Sequence, residues 1–95
     1  MEIKIFEKTG EFAENKDVAR DIRLKEIMPE LKKGNDIILN FNGVSSATQS
    51  FIHALISEVI RKETIEVLDK IEFKNCNDTL KKIISIVTEY MQKPA

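Results

Sequence analysis

Tryptophan is absent, and tyrosine, histidine and cysteine occur once each. A lone Cys76 rules out an internal disulfide framework. It also has no Cys or His at metal-ligand spacing, which argues against a zinc site. No apolar run approaches the ~18 residues needed to span a bilayer. Met1-Glu2-Ile3-Lys4 carries nothing like the apolar core of a signal peptide. A membrane role is therefore not expected, and the cytoplasm is the expected compartment. Charge of one sign is missing as well: 15 Lys and Arg stand against 16 Asp and Glu, for a formal net charge of −1. That balance lacks the clustered basic excess that recognition of nucleic acid requires. Three glycines and two prolines form no linker, and no repeat or low-complexity segment is present.

What is present is the composition of an ordinary folded domain, 42% hydrophobic and 33% charged, over 95 residues. That length suits one domain spanning residues 1–95 and not two. So small a unit buries only roughly 60 to 70% of its unfolded surface, so partner contacts matter to it and a homodimer stays open.

Ile3 and Ile5 alternate with polar neighbours, which predicts a half-buried edge strand ending at Thr9-Gly10. Glu11 to Lys16 reads as a loop or second short strand with Phe12 buried. Asp17 to Lys33 favours helix, with Asn15 or Asp17 as cap and Gly34 as its left-handed C-terminal residue. Its apolar stripe changes phase: Val18, Ala19 and Ile22 point one way, while Leu24, Ile27, Met28 and Leu31 point another. With Pro29 close by, this predicts a kink or a split between roughly Arg23 and Pro29. Ile37-Ile38-Leu39 is a β-prone run, expected to be a central strand buried on both faces, in a parallel or mixed sheet with helical crossovers. The next helix starts between Ser46 and Thr48 and runs to about Lys62. Ser46 with Gln49 makes a capping box and Thr48 is an alternative cap. Phe51, Ile52, Leu55, Ile56, Val59 and Ile60 form its apolar arc. Lys70 to Phe73 is the last strand, with Ile71 and Phe73 inward. Asn77 or Asp78 then caps a final helix carrying Leu80, Ile83, Ile84, Val87 and Met91, before a frayed tail over Gln92 to Ala95.

This order of elements, with Ile37-Ile38-Leu39-Asn40-Phe41-Asn42-Gly43-Val44 leading to Thr48-Gln49-Ser50-Phe51, resembles a STAS domain. That group includes the anti-sigma factor antagonists and the cytosolic tails of sulfate transporters. More narrowly, several segments are similar to the STAS-like family of unknown function. They are Phe12-Ala13-Glu14-Asn15-Lys16, Arg20, Arg23, Pro29, Thr48 through Leu55, and Phe73-Lys74-Asn75-Cys76-Asn77. The resemblance covers nearly the whole chain and implies an α/β fold: a STAS-like mixed β-sheet of about four strands packed with three or four helices. It further implies a bacterial, cytoplasmic, regulatory protein with a protein partner, a histidine-kinase-type ATPase. In the broad family an Asp followed by a phosphorylated Ser opens the second helix. Here Thr48 and Gln49 stand at those places and Ser50 follows one position later, so Ser50 is a displaced candidate phosphosite.

A helix N-terminus offers unpaired amide hydrogens and partial positive charge, and the C-terminal edge of a central strand is where open α/β sheets bind ligands. Ser46, Thr48, Gln49, Ser50 and His53 crowd that junction and are the expected partner-binding or anion-binding residues, although some of them need do no more than cap the helix. Arg20 and Arg23 are the expected anion clamp, if the kinked helix faces the same edge. Cys76, just ahead of a helix, is a small half-buried residue or a thiol of lowered pKa. No metal and no cofactor is expected. The first reading is a non-catalytic regulatory module bound at the start of its second helix. The second is a small-anion or nucleotide sensor. The third is a hydrolase using Ser50 and His53, for which the local sequence supplies no orienting carboxylate.

Overall fold

The computed structural model describes the backbone of residues 1–63 and 65–92, and all of their side chains except those of 62–63, 65–66 and 91–92. Met91 lies in the last helix as expected, its side chain outside these; of the tail expected to fray over Gln92 to Ala95, Gln92 is still helical and residues 93–95 fall outside the described ones. In chain order the elements are β1 (Glu2–Lys4), α1 (Phe6–Thr9), β2 (Phe12–Ala13), α2 (Lys16–Ile22), a π-helical turn (Arg23–Ile27), α3 (Met28–Lys32) and β3 (Ile37–Asn40). Then come β4 (Ser46–Ala47), α4 (Gln49–Glu63), a 3-10 segment (Ile65–Lys70), β5 (Ile71–Lys74) and α5 (Asp78–Gln92).

The fold is α/β, as the sequence predicts, but the strands divide into two parallel sheets instead of one mixed sheet. In the larger, β3 lies between β1 and β5, with Ile3, Leu39 and Phe73 in one cross-strand row. β3 is central, yet it is covered on one face only. Ile37 and Leu39 are buried, while Ile38 and Asn40 are half-buried. The rows on the open face explain the difference. Glu2 and Glu72 flank Ile38, and Lys4 and Lys74 flank Asn40, so charged neighbours keep that side wet.

The smaller sheet pairs β2 with β4, Phe12 beside Ser46 and Ala13 beside Ala47. Ala13 and Ala47 turn inward, and Phe12, expected in the core, is 62% exposed. β1 also stops earlier than its alternation suggests. Ile5 is fully buried, and the chain then turns into α1, with Thr9 N–H donating to Ile5 O at 3.0 Å. The ring of α1's Phe6 sits over Gly43, whose φ is +91°, and a Cβ there would come within 2.9 Å of it.

The segment from Lys16 to Lys32 is one continuous helical stretch with a wide turn in its middle. Asn15 caps it, its side-chain oxygen accepting from Asp17 N–H at 2.8 Å. The predicted kink or split is resolved as the π turn: Met28 N–H donates to Arg23 O, five residues back. One added residue re-phases the stripe, so that Ala19 and Ile22 before it and Ile27, Met28 and Leu31 after it all reach the core. Leu24, expected with the second group, faces outward at 46% exposure. The turn ends two residues before Pro29, whose ring crowds the carbonyl four residues back in a regular α-helix. Gly34 closes the stretch at φ +82°.

α4 is the core helix. Phe51, Ile52, Leu55, Ile56, Val59 and Ile60 are all buried, each contributing roughly 1.5–3 kcal/mol of transfer free energy. α2, the π turn and α5 pack against it. No helix among the described residues is long and apolar enough to cross a membrane.

Candidate functional site

The corner from Gly43 to Ser50 leaves the C-terminal end of β3 and is held from three directions. Ser45 N–H donates to Glu11 O at 2.8 Å, and Thr48 N–H to Ala13 O at 3.0 Å. Asn77 Nδ2 donates to Ser45 O at 2.8 Å, while Asn77 Oδ1 accepts from Leu80 N–H at 2.8 Å and so caps α5. Asn40 continues this stapling. Its Oδ1 accepts from Asn75 Nδ2 and from Asn42 N–H, and its Nδ2 reaches Glu2. Fixed in this way, the corner presents Ser45, Thr48, Gln49 and Ser50 to solvent.

Thr48, not Ser46, is the cap of α4. Phe51 N–H donates to Thr48 Oγ1 at 3.0 Å and Ile52 N–H to Thr48 O at 3.2 Å. The predicted capping box of Ser46 with Gln49 does not form, because pairing of β4 with β2 keeps Ser46 and Ala47 extended and delays the helix by two residues. Ser46 is half-buried in that strand.

The five expected binding residues part into two groups. Ser46 and Thr48 line a small hollow beside Phe12 and Glu14. Gln49, Ser50 and His53, successive on one edge of α4, form a wall of a larger groove of about 440 Å³. The remaining wall is Ile86, Val87 and Tyr90 of α5, with Ala54 on the floor side of α4 and Lys16 at the start of α2. Ile86 is 48% and Tyr90 69% exposed, so this groove is polar along α4 and apolar along α5. Among the described residues no carboxylate lines it. Within that lining Ser50 and His53 share a wall with no acid to orient the imidazole.

Arg23 is not part of a clamp. Its Nη1 donates to Ala54 O at 2.7 Å, tying the π turn to the middle of α4 in a half-buried setting. Arg20 is exposed on α2 and outside the groove. The expected pair of arginines therefore does not converge, because α2 lies along α4 and turns Arg23 toward the helix backbone, away from its N-terminus.

Cys76 is half-buried, and burial pushes its thiol up from the ordinary value while Lys81 pulls weakly the other way. The lowered pKa considered from its place ahead of α5 is thus reversed: desolvation outweighs the nearby charge. Among the described residues no cluster of three His, Cys, Asp or Glu side chains is placed to hold a metal ion.

Sequence reasoning missed Lys16, Ile86 and Tyr90. Ile86 and Tyr90 had a signal, being four residues apart on α5 and roughly 80 to 120° off the centre of its core stripe, a second apolar stripe that the core leaves unused. Lys16 had none, because it meets the groove only through the packing of α2 on α4.

In comparison with known proteins, a family model for the STAS-like domain of unknown function matches residues 22–81, from the end of α2 to the first turn of α5. Searches of curated proteins and of solved structures returned no significant match.

Proposed function

This chain belongs to the STAS-like domain family of unknown function, and from that premise we propose that it is a non-catalytic regulatory module whose start of α4 docks a protein partner in the cytoplasm. The partner class is a histidine-kinase-type ATPase. Phosphorylation of Ser50 would place about two negative charges on an exposed first-turn residue and switch the contact. One observation supports this reading above the others. The solvent-facing groups of α4's first turns, Gln49, Ser50 and His53, open onto the same groove as two apolar side chains, Ile86 and Tyr90. A polar edge joined to an uncovered aromatic and aliphatic pair suits a protein surface better than a small anion. The anion-sensor reading loses Arg23 to Ala54 O, and the hydrolase reading finds no acid among the described residues that line the groove with His53.

The test is affinity capture from the native cell with intact-mass measurement of the bait. An ATPase of that class should co-purify with the wild-type chain and be lost with Ser50→Asp and with Gln49→Glu. A phosphorylated bait would add a mass of one phosphate. Unchanged capture with both variants would remove the start of α4 as the docking surface.

A further inference from the structure

Resting on that reading, we infer that the element seated in the groove between α4 and α5 is a short amphipathic helix of the partner protein, bearing carboxylates beside its apolar stripe. The backbone argument comes first. Both long walls of the groove are helices, α4 and α5, whose interior amides and carbonyls are already paired along their own axes. An occupant pressed between them finds no strand edge to extend and must satisfy its own main chain, which a helix does and an extended peptide does not.

The dimensions agree. The α4 wall runs from Gln49 to Ala54, roughly 8 Å of helix rise, and the α5 wall from Ile86 to Tyr90 is a single turn. Such a seat takes about one and a half turns of a helix, anchored by side chains three or four positions apart. Ile86 and Tyr90 would cover that stripe.

Charge then sets the occupant's polar flank. Among the described residues the lining contributes the Lys16 ammonium, the His53 imidazole, the Gln49 amide and the Ser50 hydroxyl, and no carboxylate. The nearest acids in sequence, Asp17 and Glu89, are exposed and outside the lining. A carboxylate on the occupant meets donors here, whereas a lysine would meet Lys16. The same arrangement explains how a phosphate on Ser50 would act, since it would put an anion where the occupant's own acid sits.

The experiment places a photo-cross-linking phenylalanine analogue at position 90 of the full chain in its native cell and sequences the peptide it captures. Tyr90 is exposed, so the replacement leaves the fold intact. The expected peptide reads as an amphipathic helix with Asp or Glu next to its apolar positions. Lys16→Glu should lower cross-linking about tenfold, the effect of one interfacial ion pair, and Lys16→Arg should retain it. Reversing the captured acid to Lys should restore the yield with Lys16→Glu. Capture of a second copy of this chain, of a basic or strand-forming segment, or indifference to Lys16→Glu overturns the inference. If Ser50→Asp abolishes partner capture but position 90 cross-links to nothing, the docking role stands and the helical occupant falls. If Ser50→Asp and Gln49→Glu both leave capture unchanged, the docking role itself is lost.

Discussion

Helices α4 and α5 are both 15 residues long, yet they use their apolar side chains differently. Every member of α4's arc from Phe51 to Ile60 is buried, so among the described residues of that helix half-buried Ala54 is the apolar group left at the groove. α5 covers Leu80, Ile84 and Val87 but leaves Ile86 and Tyr90 in water. The contrast teaches where stability and the proposed docking separate on this chain. α4 contributes its inner face to stability and a mainly polar edge to the groove, while α5 contributes an apolar strip that the core does not need.

Three variants bear on this division. Phe51→Ala attacks the covered side and should cost about 3–5 kcal/mol, read from the urea midpoint. A loss under about 1 kcal/mol would mean that α4's inner face is not the core it is taken to be. Arg23→Ala tests the link between the π turn and α4. Removing a charged donor from Ala54 O should cost about 1–3 kcal/mol without changing partner capture, and a loss of capture at unchanged stability would return Arg23 to the docking surface. The smallest effect on stability belongs to Ile86→Ser with Tyr90→Ser. Unfolding should shift by no more than about 0.5 kcal/mol, while capture of the partner falls away. A pronounced destabilisation would make this strip part of the core.

What was legible in the sequence is what local pattern controls. Ile37-Ile38-Leu39 is the middle strand, the arc of α4 is buried residue for residue, and Asn77 caps α5. The phase change near Arg23 was visible as well, and only its resolution as a wide turn needed coordinates. The errors come from long-range pairing. Whether Ser46 or Thr48 caps α4 is decided by β2, more than thirty residues earlier. Arg23 meets Ala54 across 31 positions, so no local spacing could reveal that its guanidinium was engaged. Phe12 is expected inside, but the pairing of Ala13 with Ala47 turns the smaller side chain inward and leaves Phe12 exposed. Of the candidate site, Gln49, Ser50 and His53 were readable as one helix edge. Their apolar counterpart was not, because α5's second strip acquires meaning only when it lies beside α4.

Gly43 carries a consequence for how this corner can diversify. With φ at +91° and the Phe6 ring within 2.9 Å of where a Cβ would stand, any other residue adds left-handed strain of roughly 1–2 kcal/mol and unseats an aromatic lid. Length is no freer than bulk, since the next residue, Val44, is buried and its N–H donates to Phe41 O at 2.9 Å. Descendants of this chain that retune the proposed docking edge should do so by exchanging residues on α4 and α5, leaving the pivot bare.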